Sequence, residues 1–271
     1  MHAATMVAQG AAMMALPVVA LTLARRRTGG AFGPALAGAG AFVGSQLVHL
    51  PLNATVAAVC PPLSDGVRAW LVPLALGASA GICEETARFV SLRKSRTAAS
   101  ALITGIGHGG IEAALLGVAV LVTVIRLLAV GDGADLPEEA REQVAMVWAS
   151  SDLLALVAVG ERIFAMTAHV GASMLVGLAV ARRSPWPWLG ALLLHTVLDA
   201  GAVALAPMGV VASEAFVAGM AVVSVVLAVF AARAWPADAP PPSGPVPPPA
   251  SAATLSRRPL SAADARHDDL G

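Results

Sequence analysis

The residues best equipped for chemistry lie in Gly81-Ile82-Cys83-Glu84-Glu85-Thr86-Ala87-Arg88-Phe89, where two adjacent carboxylates and an arginine interrupt a long apolar run. On a helix Arg88 follows Glu84 by four residues and Glu85 by three, so its guanidinium reaches back to either carboxylate on one face. One glutamate is then paired, and the other is left to accept a proton. Ionised groups in hydrocarbon are costly and persist where they face a protein interior or a wet cavity with partners. A buried ion pair that only fixes helix packing is the plainer reading, and it fits if these are the only charges in the apolar runs. They are not.

His108 and Glu112 stand four apart in Gly105-Ile106-Gly107-His108-Gly109-Gly110-Ile111-Glu112, and so do His195 and Asp199 in His195-Thr196-Val197-Leu198-Asp199. Each pair shares a helix face. A carboxylate one turn from a histidine can fix its tautomer and leave the other ring nitrogen for a metal or a substrate oxygen. His169 is a third candidate, with Glu161 and Arg162 on the same run and Arg162 on its helical face seven residues earlier. For Glu161 and Arg162 the expectation is a structural pairing.

Hydrolysis in such a setting needs an activated water, a group to meet the developing oxyanion, and a polar pocket. The expected roles are Glu84 or Glu85 as general base, Arg88 holding the other carboxylate, and Asp199 joining the catalytic group. His108, His169 and His195, with Glu112, are the candidate ligands of a divalent metal, zinc by preference, since three imidazoles and one open position suit a catalytic zinc. The sequence holds no His-Glu-x-x-His motif. The metal therefore rests on convergence of the histidines together with the family resemblance described below, and a metal-free glutamate mechanism stays open beside it.

These residues need elements to carry them. Of 271 residues 57% are hydrophobic and only 13% charged, which puts the chain in the all-α, polytopic membrane class. Seven apolar stretches reach the ~20 residues that cross a bilayer: roughly 3–24, 31–52, 68–92, 98–130, 149–181, 186–206 and 210–232. The fourth and fifth exceed a straight span and must tilt, kink or extend beyond it. Arg25 to Arg27 follow the first span, Arg93, Lys94 and Arg96 the third, and Arg182 and Arg183 the fifth. All fall on one side, the cytosolic one by the positive-inside rule, so the N-terminus is expected outside and the C-terminus inside the cell membrane. The outer loops then hold Asp65 and the acidic group Asp132, Asp135, Glu138, Glu139 and Glu142.

The transmembrane domain spans 1–235, and 236–271, rich in proline, reads as a disordered cytosolic tail. Cys60 and Cys83 fall too far apart on this topology for a disulfide, and nothing in the charge layout suits nucleic acid. Oligomeric state is not legible here.

Counted inward from the basic side at ~1.5 Å per residue, Glu84 lies ~12 Å deep, His108 ~15 Å, His195 ~16 Å, His169 ~20 Å, and Glu112 and Asp199 ~22 Å. Four helices thus bring ionisable groups into one slab, and one cavity reached from the cytosolic half is expected to hold them. Glycines 105, 107, 109 and 110 let neighbouring helices approach closely around His108.

The ensemble resembles the YhfC family of intramembrane metalloproteases, distant relatives of the CAAX prenyl protease and bacteriocin-processing group and of PrsW. The resemblance rests on Glu84-Glu85-x-x-Arg88, Gly107-His108-Gly109-Gly110-Ile111-Glu112-Ala113, Glu161-Arg162 with His169, and His195-x-x-x-Asp199, covering roughly 81–200. It implies that Glu84 takes the place of the water-activating glutamate of the CAAX-protease branch, that His169 and His195 take its two histidine places, and that Asp199 stands where that branch has asparagine. The chain departs from that branch in placing two rather than three residues between the glutamate pair and Arg88, and Phe164 five rather than four residues before His169. The implied substrate is a membrane protein or peptide within the lipid bilayer. A proton- or cation-coupled transporter, in which the same groups relay charge, and a non-catalytic membrane scaffold remain as alternatives, although no internal repeat of the transporter kind is visible.

Overall fold

The computed structural model describes residues 2–60, 63–95, 97–131 and 136–237, and these are helical with short connections. The elements are α1 (His2–Thr28), α2 (Gly33–Val59), α3 (Asp65–Leu92), α4 (Ala98–Val130), α5 (Glu138–Ala149), α6 (Asp152–Arg182), α7 (Trp186–Leu205), a 3-10 turn (Ala206–Met208) and α8 (Val210–Arg233). Seven of them, all but α5 and the 3-10 turn, are long and apolar enough to cross a membrane. Of the expected tail, 238–271 lie outside the described residues, as do Asp132, Asp135 and Arg96 of the loops.

Local sequence explains where the helices start and stop. Thr97 caps α4 by accepting the Ser100 N–H (3.2 Å), and Ser151 caps α6 by accepting that of Leu153 (3.1 Å). α6 ends where Arg183 turns to φ 53°, the left-handed conformation that closes many helices, and proline opens α7 in its first turn. The acidic residues Glu138, Glu139 and Glu142 sit on α5, not in an irregular loop; α5 has no buried residue, and its polar first half gives way to the apolar Val144-Ala145-Met146-Val147-Trp148. The two cysteines are free.

α6 is the central helix. In its most apolar window 72% of residues are buried within the bundle, against 28% or less for every other span. It packs against α1, α3, α4, α7 and α8, while α4 also meets α1 and α2, and α3 meets α2 and α7. A side chain on α3, α4, α6 or α7 that turns toward this centre is therefore sheltered from lipid.

Two glycines set the α2–α4 crossing. A Cβ on Gly107 would lie 2.0 Å from the Ala35 carbonyl oxygen, and one on Gly38 would lie 2.1 Å from that of Thr104, so only backbone fits at either point. The opposite end of the bundle is tied by His2, whose ring nitrogens meet Asp152 Oδ1 (2.9 Å) and Ser150 Oγ (3.0 Å). At the basic end Arg25 donates to the Gly30 carbonyl (3.0 Å) and lies over the Phe32 ring, and Arg182 donates to Ala234 O (3.0 Å). The ends of α6 and α8 thereby share the face that carries the arginine clusters.

Candidate functional site

α3 delivers Glu84, Glu85 and Arg88 to the α6 side of the bundle, each at most 4% exposed. Arg88 resolves the choice between the carboxylates. Its Nε lies 3.1 Å from Glu85 Oε2, and its two terminal nitrogens donate to His169 O (2.7 Å), Ser173 Oγ (2.9 Å) and His169 Nδ1 (3.0 Å). Among the described residues no arginine reaches Glu84. Its Oε2 instead faces His108 Nε2 (3.0 Å) and His195 Nε2 (3.7 Å), while Oε1 accepts from Gln46 Nε2 (3.2 Å), with His49 Nδ1 at 3.8 Å.

The partners assign the ring protons. A guanidinium only donates, so His169 Nδ1 is the bare nitrogen and Nε2–H points to Glu112 Oε2 at 2.7 Å. A carboxylate accepts, so His195 Nδ1 carries its proton toward Glu85 Oε1 (2.7 Å), which turns Nε2 to the space between Glu84 and Asp199 Oδ2 (3.6 Å). His108 meets Glu84 through Nε2, its Nδ1 is buried with no hydrogen-bond partner among the described residues, and Phe42 packs edge-on to its ring. The three imidazoles form one group, with ring centroids 5.0 Å apart for His108 and His169 and 5.5 Å for His169 and His195.

The histidine–carboxylate pairs expected within single helices exchange partners across helices. Glu112 holds His169 of α6 and not His108, and its other oxygen takes Arg162 (2.8 Å). His195 is fixed by Glu85 of α3, while Asp199, one turn away, stays beyond hydrogen-bond length. Residues four apart on a helix both point into the bundle, and a crossing helix offers each a shorter approach than its neighbour on the same helix. Arg162 also pairs with Glu161, as expected, so one cation bridges that local pair to the histidine cluster.

Glu84, Glu112, His169, His195 and Asp199 line a cavity of about 100 Å³ together with Glu161, Arg162, Ala165, Leu198, Ala202 and Val217. That volume has room for about three waters. Of the lining, Glu161, Arg162, Ala202 and Val217 lie toward the end of the bundle away from the arginine clusters. Asp199 has the most exposed side chain among the ionisable groups of the cavity, at 38%.

Glu84, His108 and His169 are buried and can each offer one donor atom within 4.8 Å of the others. Ligand bonds of ~2.0–2.2 Å need donors closer than this upper bound, so the three side chains would draw together slightly around an ion. A carboxylate with imidazoles suits zinc and other divalent first-row metals; an ion that took His169 would have to replace the Arg88 hydrogen bond at Nδ1 or the proton at Nε2, because both nitrogens are engaged. His195 is prepared for such an ion, since Glu85 behind its Nδ1 is the arrangement that orients metal-ligating imidazoles.

Sequence reasoning missed the contribution of α2. Gln46, His49 and Asn53 form a ladder, His49 Nδ1 to Gln46 Oε1 (3.2 Å) and Asn53 Nδ2 to His49 Nε2 (3.0 Å), which continues to Ser79 (2.6 Å) and supports Glu84 from behind. Their spacing of three and four residues in an apolar span was the available signal. Trp188, which donates to the Glu85 backbone oxygen (3.2 Å), and Ser173 carried none.

A family model described as YhfC intramembrane metalloprotease matches residues 12–225. No curated protein and no solved structure matches the chain significantly.

Proposed function

The chain belongs to the YhfC intramembrane metalloprotease family, and on that premise we propose that it hydrolyses a peptide bond of a membrane-embedded protein or peptide, within the cell membrane, at the Glu84 cluster. The observation that carries this reading is the division of labour between adjacent carboxylates. Arg88 takes Glu85, while Glu84 is turned to two imidazoles and to a water-sized cavity.

In the proposed reaction a water in that cavity gives its proton to Glu84 Oε2 as its oxygen attacks the scissile carbonyl carbon. His108 Nε2–H, which faces Glu84 Oε2 at rest and is released as that carboxylate takes the proton, offsets the charge that gathers on the carbonyl oxygen. His195, whose Nε2 lies between Glu84 and Asp199, passes the proton to the leaving amine as the C–N bond breaks. The water oxygen ends in the new carboxylate and the side chains return to their starting state. Glu85 orients His195, and Arg88 and Glu112 hold His169 from two sides. A divalent ion, zinc on this donor set, would be held by His108 and His169 with Glu84 as the carboxylate in reach, and would supply Lewis-acid polarisation of the carbonyl.

The test is Glu84→Gln, which keeps size and one hydrogen-bonding oxygen but removes the base. Wild-type protein in liposomes is expected to cut members of a library of membrane-spanning peptides, and the variant to cut none while melting at the same temperature. Absence of any Glu84-dependent cleavage, together with Glu84-dependent ion flux, would replace this reading by a transporter.

A further inference from the structure

A second cavity in the described residues lies apart from the one at the glutamates. It is a groove of about 490 Å³ at the basic end of the bundle, lined by Thr86 and Phe89 of α3, Ala179 and Val180 of α6, Trp188 of α7, and the arginines Arg93 and Arg183 with Ser184 and Pro185. We propose that this groove binds an anionic phospholipid, with its phosphate between Arg93 and Arg183 and the start of an acyl chain against Phe89, Val180 and Trp188.

Three observations converge on that ligand. The first is charge: no acidic residue lines the groove, and among the described residues neither arginine has an ion pair, whereas Arg88, Arg141 and Arg162 all do. Two unpaired cations beside an apolar wall are complementary to a phosphate that carries hydrocarbon. The second is level. Both arginines directly follow membrane-spanning helices, α3 and α6, and Trp186 stands exposed beside them, as aromatic residues do at the headgroup level. Basic pockets between spans at that level suit phospholipid headgroups. The third is backbone. Arg183 holds φ 53°, a conformation in which glycine or asparagine is easier to accommodate. An arginine there carries conformational strain in exchange for placing its guanidinium at the groove.

The groove also touches the reaction site through its wall. Trp188 lines it and donates to the Glu85 carbonyl, and Thr86 and Phe89 sit on the same turns of α3 as Glu85 and Arg88. An occupied groove therefore braces the helix segment that carries the carboxylates. Binding itself is independent of the proposed peptidase activity and is tested without it.

The experiment is native mass spectrometry of the full chain in detergent, with phosphatidylglycerol or phosphatidylcholine of identical acyl chains added. The wild type is expected to retain phosphatidylglycerol at least tenfold more strongly, and Arg93→Gln with Arg183→Gln to remove that preference. Val180→Trp, which fills the groove and keeps both charges, is expected to lose the bound lipid as well, and it carries the test if the double variant fails to fold. Arg26→Gln with Arg27→Gln is expected to retain the wild-type preference. Equal retention of the two lipids by the wild type, an undiminished preference in Val180→Trp, or an equal loss in the Arg26/Arg27 variant overturns the proposal. So does capture at these arginines of an acidic peptide that phosphatidylglycerol cannot displace.

Discussion

Replacing Arg88 with alanine should damage stability more than any other single change in the site. The side chain is fully buried, holds three hydrogen bonds to α6 and lies against a Glu85 that is equally buried. Its removal strands that carboxylate and leaves Ser173 and the His169 carbonyl without their donor. Breaking a buried pair by removing one partner costs ~3–5 kcal/mol, and at about 2–4 °C per kcal/mol this lowers the melting temperature by roughly 6–20 °C. The lost donors do not add independently to that figure, because all of them sit on one guanidinium. Glu85→Gln removes the charge that needs Arg88, so the double variant Glu85→Gln with Arg88→Ala should recover part of the loss. Melting followed by tryptophan fluorescence in detergent gives all four corners of the cycle. A shift under 2 °C for Arg88→Ala, or a double variant no more stable than the single one, would refute the view that this arginine is the electrostatic tie between α3 and α6.

Other consequences are open to simpler measurements. If His108 and His169 hold a divalent ion, elemental analysis should find about one per chain in the wild type and little in His108→Ala or His169→Ala, with His2→Ala unaffected; equal content in all four would exclude these ligands. Gly107→Val forces a Cβ onto the Ala35 carbonyl, so it should destabilise by ~1–3 kcal/mol or more, whereas Gly44→Ala, with nothing within 4 Å, should stabilise by about 0.5–1 kcal/mol. Impermeant labelling of Ser95→Cys only after permeabilisation, and of Glu139→Cys without it, is expected if the arginine clusters face the cytosol; the reverse pattern would invert the orientation.

The seven spans were legible because hydrocarbon demands long apolar runs, and length alone separates them from ordinary helices. That Glu84, His108, His169 and His195 would meet followed from depth, a one-dimensional coordinate that sequence carries well. Rotation about each helix is different. Whether Arg88 turns to Glu84 or to Glu85, and whether Glu112 serves His108 or His169, depends on crossing geometry between helices distant in sequence, and spacing within one helix says nothing about it. Gln46 and His49 went unread for a related reason. Their polarity makes α2 the least hydropathic of the seven spans, but their value to Glu84 exists only once α2 lies beside α3. Counting from helix ends gives depth and not the side on which the packing is loose, so the extension of the cavity to Glu161, Arg162, Ala202 and Val217 was not legible either.

The scattering of the cluster along the chain has a consequence in time. Glu84 and Arg88 belong to α3, His108 to α4, His169 to α6 and His195 to α7. During synthesis these helices enter the bilayer in that order, so until α6 arrives Arg88 has no His169 or Ser173 to hold, and until α7 follows His195 cannot close the space beside Glu84. A nascent chain therefore passes through the insertion machinery, crowded with other half-inserted helices, without an assembled site. On the proposed peptidase reading, competence arises only when nearly the whole bundle has been delivered.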